Sequence, residues 1–282
     1  MTKIIDGKLI SFKIKEQIKQ EISSLDEKLT LAVVQVGNDE ASNVYIRSKE
    51  KAATEVGIKF KHLKFDSNVS ETELINNIKE LNNDLSITGI IVQLPLPKHL
   101  NEQSVLETIN PKKDVDGLTG TNMGKLITST TGIIPCTPLG IMTLLEHYNV
   151  SLEGKHVVIV GRSNLVSKPL IFLCLKKNAT VTVCHSKTLD LKSYTKQADV
   201  LIAAVGHKHL INKSMIKKDT VIIDVGINKV DGKLYGDVDF EDVYDKVSLI
   251  TPVPKGVGPM TVVMLLNNVV KCYENNKNRK GR

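Results

Sequence analysis

The sequence predicts an α/β protein of two domains, each built on a mainly parallel sheet. Three observations carry this prediction. Short apolar runs of strand length alternate with single helical stretches, so successive strands need crossover connections. The alternation stops between about residues 94 and 138, where prolines 95, 97, 111, 135 and 138 and glycines 117, 120, 124 and 132 break regular structure, and then restarts. The chain has 282 residues, enough for two domains at about 150 residues each.

Taken in order, Ile10, Ile14, Ile18, Ile22 and Leu25 recur at steps of four and three and draw one apolar stripe along a helix. A strand over 29–36 closes at Gly37, a helix over 41–56 ends at Gly57, and a strand follows over 58–65. Ser70-Glu71-Thr72-Glu73 is a capping box opening a helix that carries Leu74, Ile78 and Leu81. Residues 89–93 form a short buried strand, and 94–138 reads as loop and domain boundary. The second unit contains a strand over 157–160, a helix over 166–177, a strand over 180–184, a helix near 191–197, and strands over 200–205 and 221–225. Pro252, Pro254, Gly256, Gly258 and Pro259 break the chain again before an apolar helix over 261–272. Periodicity leaves open whether that helix closes the second domain or returns to the first.

A 41% apolar and 24% charged composition is that of an ordinary globular chain and excludes disordered, collagen-like and solenoid classes. The N-terminus offers no apolar core with a small-residue cleavage site, so no secretory signal is expected. The longest apolar runs, over 157–160 and 200–205, fall short of the roughly 18 residues a membrane span requires. Cys136, Cys174, Cys184 and Cys272 form no CxxC pair and no metal-ligand spacing. They read as buried reduced thiols of a cytoplasmic protein, with no metal site. The net charge of +7 comes from lysines and arginines interspersed with acids everywhere except the tail from Asn275 to Arg282. With no Trp and eleven Phe and Tyr, base stacking has little to work with; a small anionic ligand is expected rather than nucleic acid.

The strand over 157–160 runs into Gly161-Arg162-Ser163-Asn164-Leu165-Val166-Ser167 and then a helix, the setting in which a helix N-terminus receives a pyrophosphate. Only the first glycine of G-x-G-x-x-G is present, with Ser163 and Ser167 at the other two places. The context supports a Rossmann-like dinucleotide site, and an ordinary strand-to-helix turn is the alternative. An NAD site expects an acidic residue after the second strand for the ribose diol. Here His185-Ser186-Lys187 stands there, and with Arg162 it suits the 2′-phosphate of NADP.

Tyr45 and Lys49 are four apart on one face of a helix. A lysine beside an aromatic ring in a cleft loses solvation and exchanges protons nearer neutrality, whereas on an open helix face it is merely solvated. The same spacing marks short-chain dehydrogenases, where the pair follows the dinucleotide loop; here it precedes that loop by more than a hundred residues. Gln93 ends a buried strand, at the edge where parallel sheets bind ligands, or is a strand-end amide satisfied by backbone. Asp114-Val115-Asp116-Gly117 reads as a turn, or as a calcium-loop fragment without the remaining ligand spacing.

Together these stretches resemble the bifunctional methylenetetrahydrofolate dehydrogenase/cyclohydrolase family over nearly the whole chain. The carriers are Val36-Gly37-Asn38-Asp39-Glu40-Ala41-Ser42 with Tyr45 and Lys49, Val92-Gln93-Leu94-Pro95-Leu96-Pro97, Lys113-Asp114-Val115-Asp116-Gly117, Pro135-Cys136-Thr137-Pro138, Gly161-Arg162-Ser163, and Pro252-Val253-Pro254 with Gly256-Val257-Gly258-Pro259. The resemblance implies a folate-binding catalytic domain over 1–138, with the C-terminal helix over 259–282 returning to it. An NADP-binding Rossmann-like domain would cover 139–258, with the folate cleft between the two and a homodimer formed through the cofactor domain. It implies oxidation of 5,10-methylenetetrahydrofolate by NADP⁺ and hydrolysis of the product to 10-formyltetrahydrofolate. Carried over, Lys49 is the cyclohydrolase residue, Gln93 bonds it, Tyr45 stacks on the folate, and Asp116 grips the pterin. Ser42, Gly258 and Pro259 join the substrate site; Gly161, Arg162, Ser163, Ser186 and Ile227 hold the cofactor. Two positions depart from the family pattern: Ser167 stands where a glycine opens the helix, and Lys255 replaces a glycine before Gly256, putting a charge beside the folate cleft.

Overall fold

A computed structural model describes residues 2–280, so the last two residues of the basic tail, Gly281 and Arg282, lie outside the described residues. In chain order the elements are β1 (Lys3–Ile4), α1 (Gly7–Ser23), β2 (Thr30–Val36), α2 (Glu40–Glu55), β3 (Lys59–Phe65), α3 (Glu71–Asn83), β4 (Gly89–Val92), α4 (Glu102–Thr108), α5 (Gly120–Ile127) and α6 (Cys136–His147). There follow β5 (His156–Val160), α7 (Ser167–Lys176), β6 (Thr180–Cys184), α8 (Leu191–Thr195), β7 (Val200–Ala203), β8 (Val221–Asp224), β9 (Asn228–Val230), β10 (Lys233–Tyr235), α9 (Phe240–Val243), β11 (Leu249–Ile250) and α10 (Val257–Lys280). Among the described residues no helix is long and apolar enough to cross a membrane.

The chain divides into two compact units. One joins Lys13–Cys136 to the chain from Val262 onward. Its three-stranded sheet, in the order β3-β2-β4, is parallel throughout. Alternate residues of β2, Ala32, Val34 and Val36, face a core of Leu74, Ile78 and Leu81 from α3 and Val105 and Leu106 from α4. Ser70 caps α3 by accepting from the Glu73 N–H at 3.2 Å, as the capping box requires.

The other unit joins the first twelve residues to Thr137–Thr261. Its sheet is parallel in the order β1-β11-β8-β7-β5-β6. The chain leaves β5 for β6 on one side and then crosses to β7 on the other, so the topological switch lies between β5 and β7, where ligands settle at the strand C-termini.

Two sequence expectations are corrected and one feature is new. Residues 2–12 cluster with Thr137–Thr261. Lys3 and Ile4 pair with Leu249 and Ile250, and the Ile5 N–H donates to the Ile250 carbonyl at 2.8 Å, which adds a strand too short to show a period. The stretch 94–138 is not simply loop, since it holds α4 and α5, capped by the Asn101 and Thr119 side chains, and the first residues of α6. The final helix starts at Val257, four residues earlier than its apolar run, because Pro259 is a first-turn residue whose missing N–H has no intrahelical partner to lose.

Candidate active site

α2 opens at Asp39, whose carboxylate accepts from the Ser42 backbone N–H at 2.7 Å. The helix then buries Ser42, Ile46, Lys49 and Ala53 along one stripe. A lysine in that stripe is taken out of water: Lys49 is 9% exposed, which rules out the solvated-face reading. Burial pushes its pKa down, against the opposing pull of Asp116 and Cys136. The Lys49 Nζ donates to Gln93 Oε1 at 2.8 Å. Gln93 follows β4, its N–H donates to the Val34 carbonyl, and its Nε2 donates to the Leu94 carbonyl at 2.7 Å, which leaves Oε1 for the ammonium.

Asp114 and Asp116, two apart in one loop, have different surroundings. Asp114 is buried and accepts from the N–H groups of Gly117, Leu118 and Thr119 and from Asn122 Nδ2, so it is the turn residue that freezes the loop. Asp116 is half-buried, and burial pushes its pKa up while the Lys49 charge draws it back. Gly117 has φ +71, and a Cβ there would come within 2.8–2.9 Å of the 133–135 backbone. That close approach brings Cys136 beside Asp116, with its thiol donating to the Val115 carbonyl at 3.4 Å. Burial and the neighbouring carboxylate push the Cys136 thiol far up, so it stays protonated as a donor.

Lys49, Gln93, Asp116 and Cys136 are therefore gathered in one unit. Tyr45 sits one turn earlier on α2 and is 43% exposed, available for stacking. Ser42, expected at the substrate, is buried in the first turn. The chemistry this arrangement supports is proton exchange by an amine whose proton is held less tightly than in water, next to a carboxylate able to accept N–H groups.

The other unit carries the glycine turn. The register Val160↔Cys184 puts Arg162 and Ser186 just beyond the ends of neighbouring strands, both exposed. Gly161 has φ +133, and a Cβ there would lie 2.4 Å from the Ala204 carbonyl oxygen and 2.8 Å from Ser167 Oγ, so only glycine fits. Ser163 Oγ accepts from the Val166 and Ser167 N–H groups at the start of α7. Ser167 Oγ is buried without a hydrogen-bond partner among the described residues. A bare cradle at a strand end, a hydroxyl-lined helix start and an arginine beside His185-Ser186-Lys187 fit a dinucleotide bearing an extra phosphate. Ile227, Gly258 and Pro259 line a pocket of about 220 Å³ with Leu234, Val253 and Pro254. Lys255, on the same pocket, is exposed and has φ +85.

Two residues escaped the sequence reading. Cys136 read only as a small hydrophobe, yet its thiol completes the Lys49–Asp116 cluster. Asn268 lies on the buried side of α10 and donates from Nδ2 to the Val115 and Ile134 carbonyls, both at 2.9 Å, tying together the loops that carry Asp116 and Cys136. The available signal was an amide at steps of four from Met264 and Cys272 on an apolar helix face.

Residues 5–116 match the family described as "Tetrahydrofolate dehydrogenase/cyclohydrolase, catalytic domain", and residues 135–277 match "Tetrahydrofolate dehydrogenase/cyclohydrolase, NAD(P)-binding domain". A protein of Agathobacter rectalis named "Bifunctional protein FolD" is 50% identical over 97% of this chain and 100% of its own length. The crystal structure of bifunctional FolD from Campylobacter jejuni superposes with a TM-score of 0.96 at 47% identity, covering 98% of this chain and 100% of that one. The Trypanosoma brucei N5,N10-methylenetetrahydrofolate dehydrogenase-cyclohydrolase, solved with NADP cofactor and an inhibitor, superposes with a TM-score of 0.94 at 34% identity, covering 98% of each chain. Both family domains occur in order along one chain, and full-length relatives share about half its residues. By these matches and by the fold, the chain belongs to the tetrahydrofolate dehydrogenase/cyclohydrolase family.

Proposed function

We propose that the chain oxidises 5,10-methylenetetrahydrofolate to 5,10-methenyltetrahydrofolate with NADP⁺ and hydrolyses that cation to 10-formyltetrahydrofolate. The observation that carries the reading is the buried Lys49 bonded to Gln93 beside Asp116, in a chain whose other unit holds a glycine cradle at the end of β5. Gly161, Arg162, Ser163, Ser186 and Ile227 hold NADP, and the bound cofactor supplies the hydride acceptor for the first step. Tyr45 offers its exposed ring face to the folate, Asp116 accepts the pterin's amino and ring N–H groups, and Gly258 and Pro259 border the substrate. In the hydrolysis, water adds to the methenyl carbon and the tetrahedral adduct collapses as a proton reaches the departing nitrogen. Lys49 moves that proton, with Gln93 holding Nζ in place.

A paired absorbance assay tests the reading: methylenetetrahydrofolate with NADP⁺ should yield the methenyl absorbance, and added methenyltetrahydrofolate should be consumed without cofactor. Loss of either activity in the folded parent overturns the corresponding half. We further infer a homodimer formed through the dinucleotide-binding unit, working in the cytoplasm. Light scattering should give twice the chain mass of 31.1 kDa; a particle of single-chain mass would overturn the dimer.

A further inference from the structure

Two carboxylates that the reaction does not use are buried in the unit that carries the glycine turn. Asp237 is 0% exposed and Asp224 3% exposed. Burying a carboxylate is costly unless hydrogen bonds replace its water. Asp237 Oδ2 accepts from the Val205 and Gly206 N–H groups at 2.7 and 3.1 Å, and Oδ1 accepts from the His207 N–H at 2.8 Å and Asn228 Nδ2 at 3.0 Å. Three successive backbone N–H groups converging on one anion form a nest, the motif that elsewhere receives a ligand's phosphate; here an internal carboxylate fills it. Asp224 holds Asp237 in turn: its Oδ1 accepts from the Gly226 and Asp237 N–H groups at 3.0 and 2.9 Å, and its Oδ2 from the Val238 N–H at 2.9 Å. The packing leaves no room for side chains at the two glycines. A Cβ at Gly226 would lie 2.2 Å from Asp237 Oδ1, and one at Gly236 would lie 1.8 Å from Asp224 Oδ2.

The loop gripped by Asp237 leads directly to the glycine cradle. Val205 to His207 follow β7, on the far side of the topological switch from β5. The Ala204 N–H donates to the Val160 carbonyl at 2.8 Å, and the Ala204 carbonyl is the atom that excludes a Cβ from Gly161. Gly226, gripped by Asp224, leads into Ile227 on the adjoining pocket. We propose that Asp237, fixed by Asp224, is a positioning residue for the dinucleotide: it sets the loop after β7 against the Gly161 turn so that the cradle is formed before the cofactor arrives. This rests on the dinucleotide reading given above. A loop fixed in advance spares the cofactor the cost of ordering it, so the effect falls on affinity and not on the chemical step.

Asp237→Asn keeps the shape but turns an NH₂ group toward a backbone donor. The full-length variant is compared with the parent in its KM for NADP⁺, its kcat for oxidation at saturating NADP⁺, its cofactor-free hydrolysis, and the rise in Tm on adding NADP⁺. The proposal expects KM for NADP⁺ to rise at least tenfold, kcat to fall less than threefold, hydrolysis to persist, and the NADP⁺-induced rise in Tm to shrink. A folded variant with parental KM and parental Tm rise overturns it. Should Asp237→Asn fail to fold, Asn228→Ala, which removes one of the four donors, and Gly206→Ala, at φ +66 in the gripped loop, carry the same test. A two- to fivefold rise in KM in either supports the proposal, and parental KM in both overturns it. A parent protein that itself shows no NADP⁺ response would instead sink the dinucleotide reading on which the proposal rests.

Discussion

Raising the pH from 5.5 to 8 should weaken folding through Asp224, and the size of the effect can be worked out. Burial, aided by the charge of Asp237, lifts the Asp224 pKa from 3.8 to about 7, while the N–H groups of Val238, Asp237 and Gly226 pull it back. A carboxyl with a raised folded-state pKa holds its proton more tightly folded than unfolded. It therefore lends stability that is fully present below the unfolded value and is lost as pH rises through the folded one. The whole span is on the order of 4 kcal/mol, of which about 2 kcal/mol disappears between pH 5.5 and 8. Asp224→Asn has no proton to lose. It replaces one accepting oxygen with an NH₂ group that faces a backbone donor, a penalty that does not change with pH. Urea unfolding followed by far-UV circular dichroism, which suits a chain without Trp, should show the parent losing about 2 kcal/mol more than the variant across that range. Parallel pH profiles for the two proteins would mean that Asp224 is already ionised at pH 5.5, and the burial argument for it would fail.

Three further outcomes follow from the site. Arg162→Ala should weaken NADP⁺ far more than NAD⁺, by about 2 kcal/mol or roughly thirtyfold in kcat/KM; equal losses with both cofactors would remove Arg162 from the phosphate. Asp116→Asn should lower oxidation and hydrolysis together. Because Asp116 raises the Lys49 pKa, the limb of the hydrolysis pH profile that reports Lys49 should also move to lower pH, and one surviving parental activity would contradict a shared anchor. Lys255→Gly should stabilise the fold by up to about 1 kcal/mol, since φ +85 strains any residue with a Cβ; a drop in Tm would show that the lysine side chain makes a stabilising contact.

The strands β2 to β8, alternating with helices as far as β7, were legible because four to seven residues of apolar or alternating sequence suffice to mark a strand. Elements below that length were not. β1 and β11 have two residues each, and α4 and α5 complete barely two turns, so no period forms. Pro138 and Pro259 read as breakers, yet each is the third residue of a helix, where its missing N–H costs nothing. The β9–β10 hairpin did carry a readable signal, Asp231-Gly232 with φ 49 and 76, the pair favoured in two-residue turns. Within the site, the spacing of Tyr45 and Lys49 showed a shared face but not that Lys49 would be buried, since that depends on the Gln93 strand end packing over it. Asp224 and Asp237 were unreadable for the same reason: Asp237 is held by the N–H groups of residues 205–207, some thirty residues away in sequence, and Asp224 by those of Gly226, Asp237 and Val238, and nothing in the local sequence announces that convergence.

The central claim, that one lysine serves hydrolysis and not hydride transfer, is tested most directly by the ratio of the two activities in Lys49→Gln and Lys49→Met, measured on folded protein with parental NADP⁺ binding. Proton transfer by a positioned side chain contributes about a hundred- to ten-thousandfold, so hydrolysis of methenyltetrahydrofolate should fall by at least about a hundredfold while oxidation stays measurable. Hydrolysis at the parental rate in both variants would leave the buried Lys49–Gln93 pair with no part in proton transfer and would contradict the account.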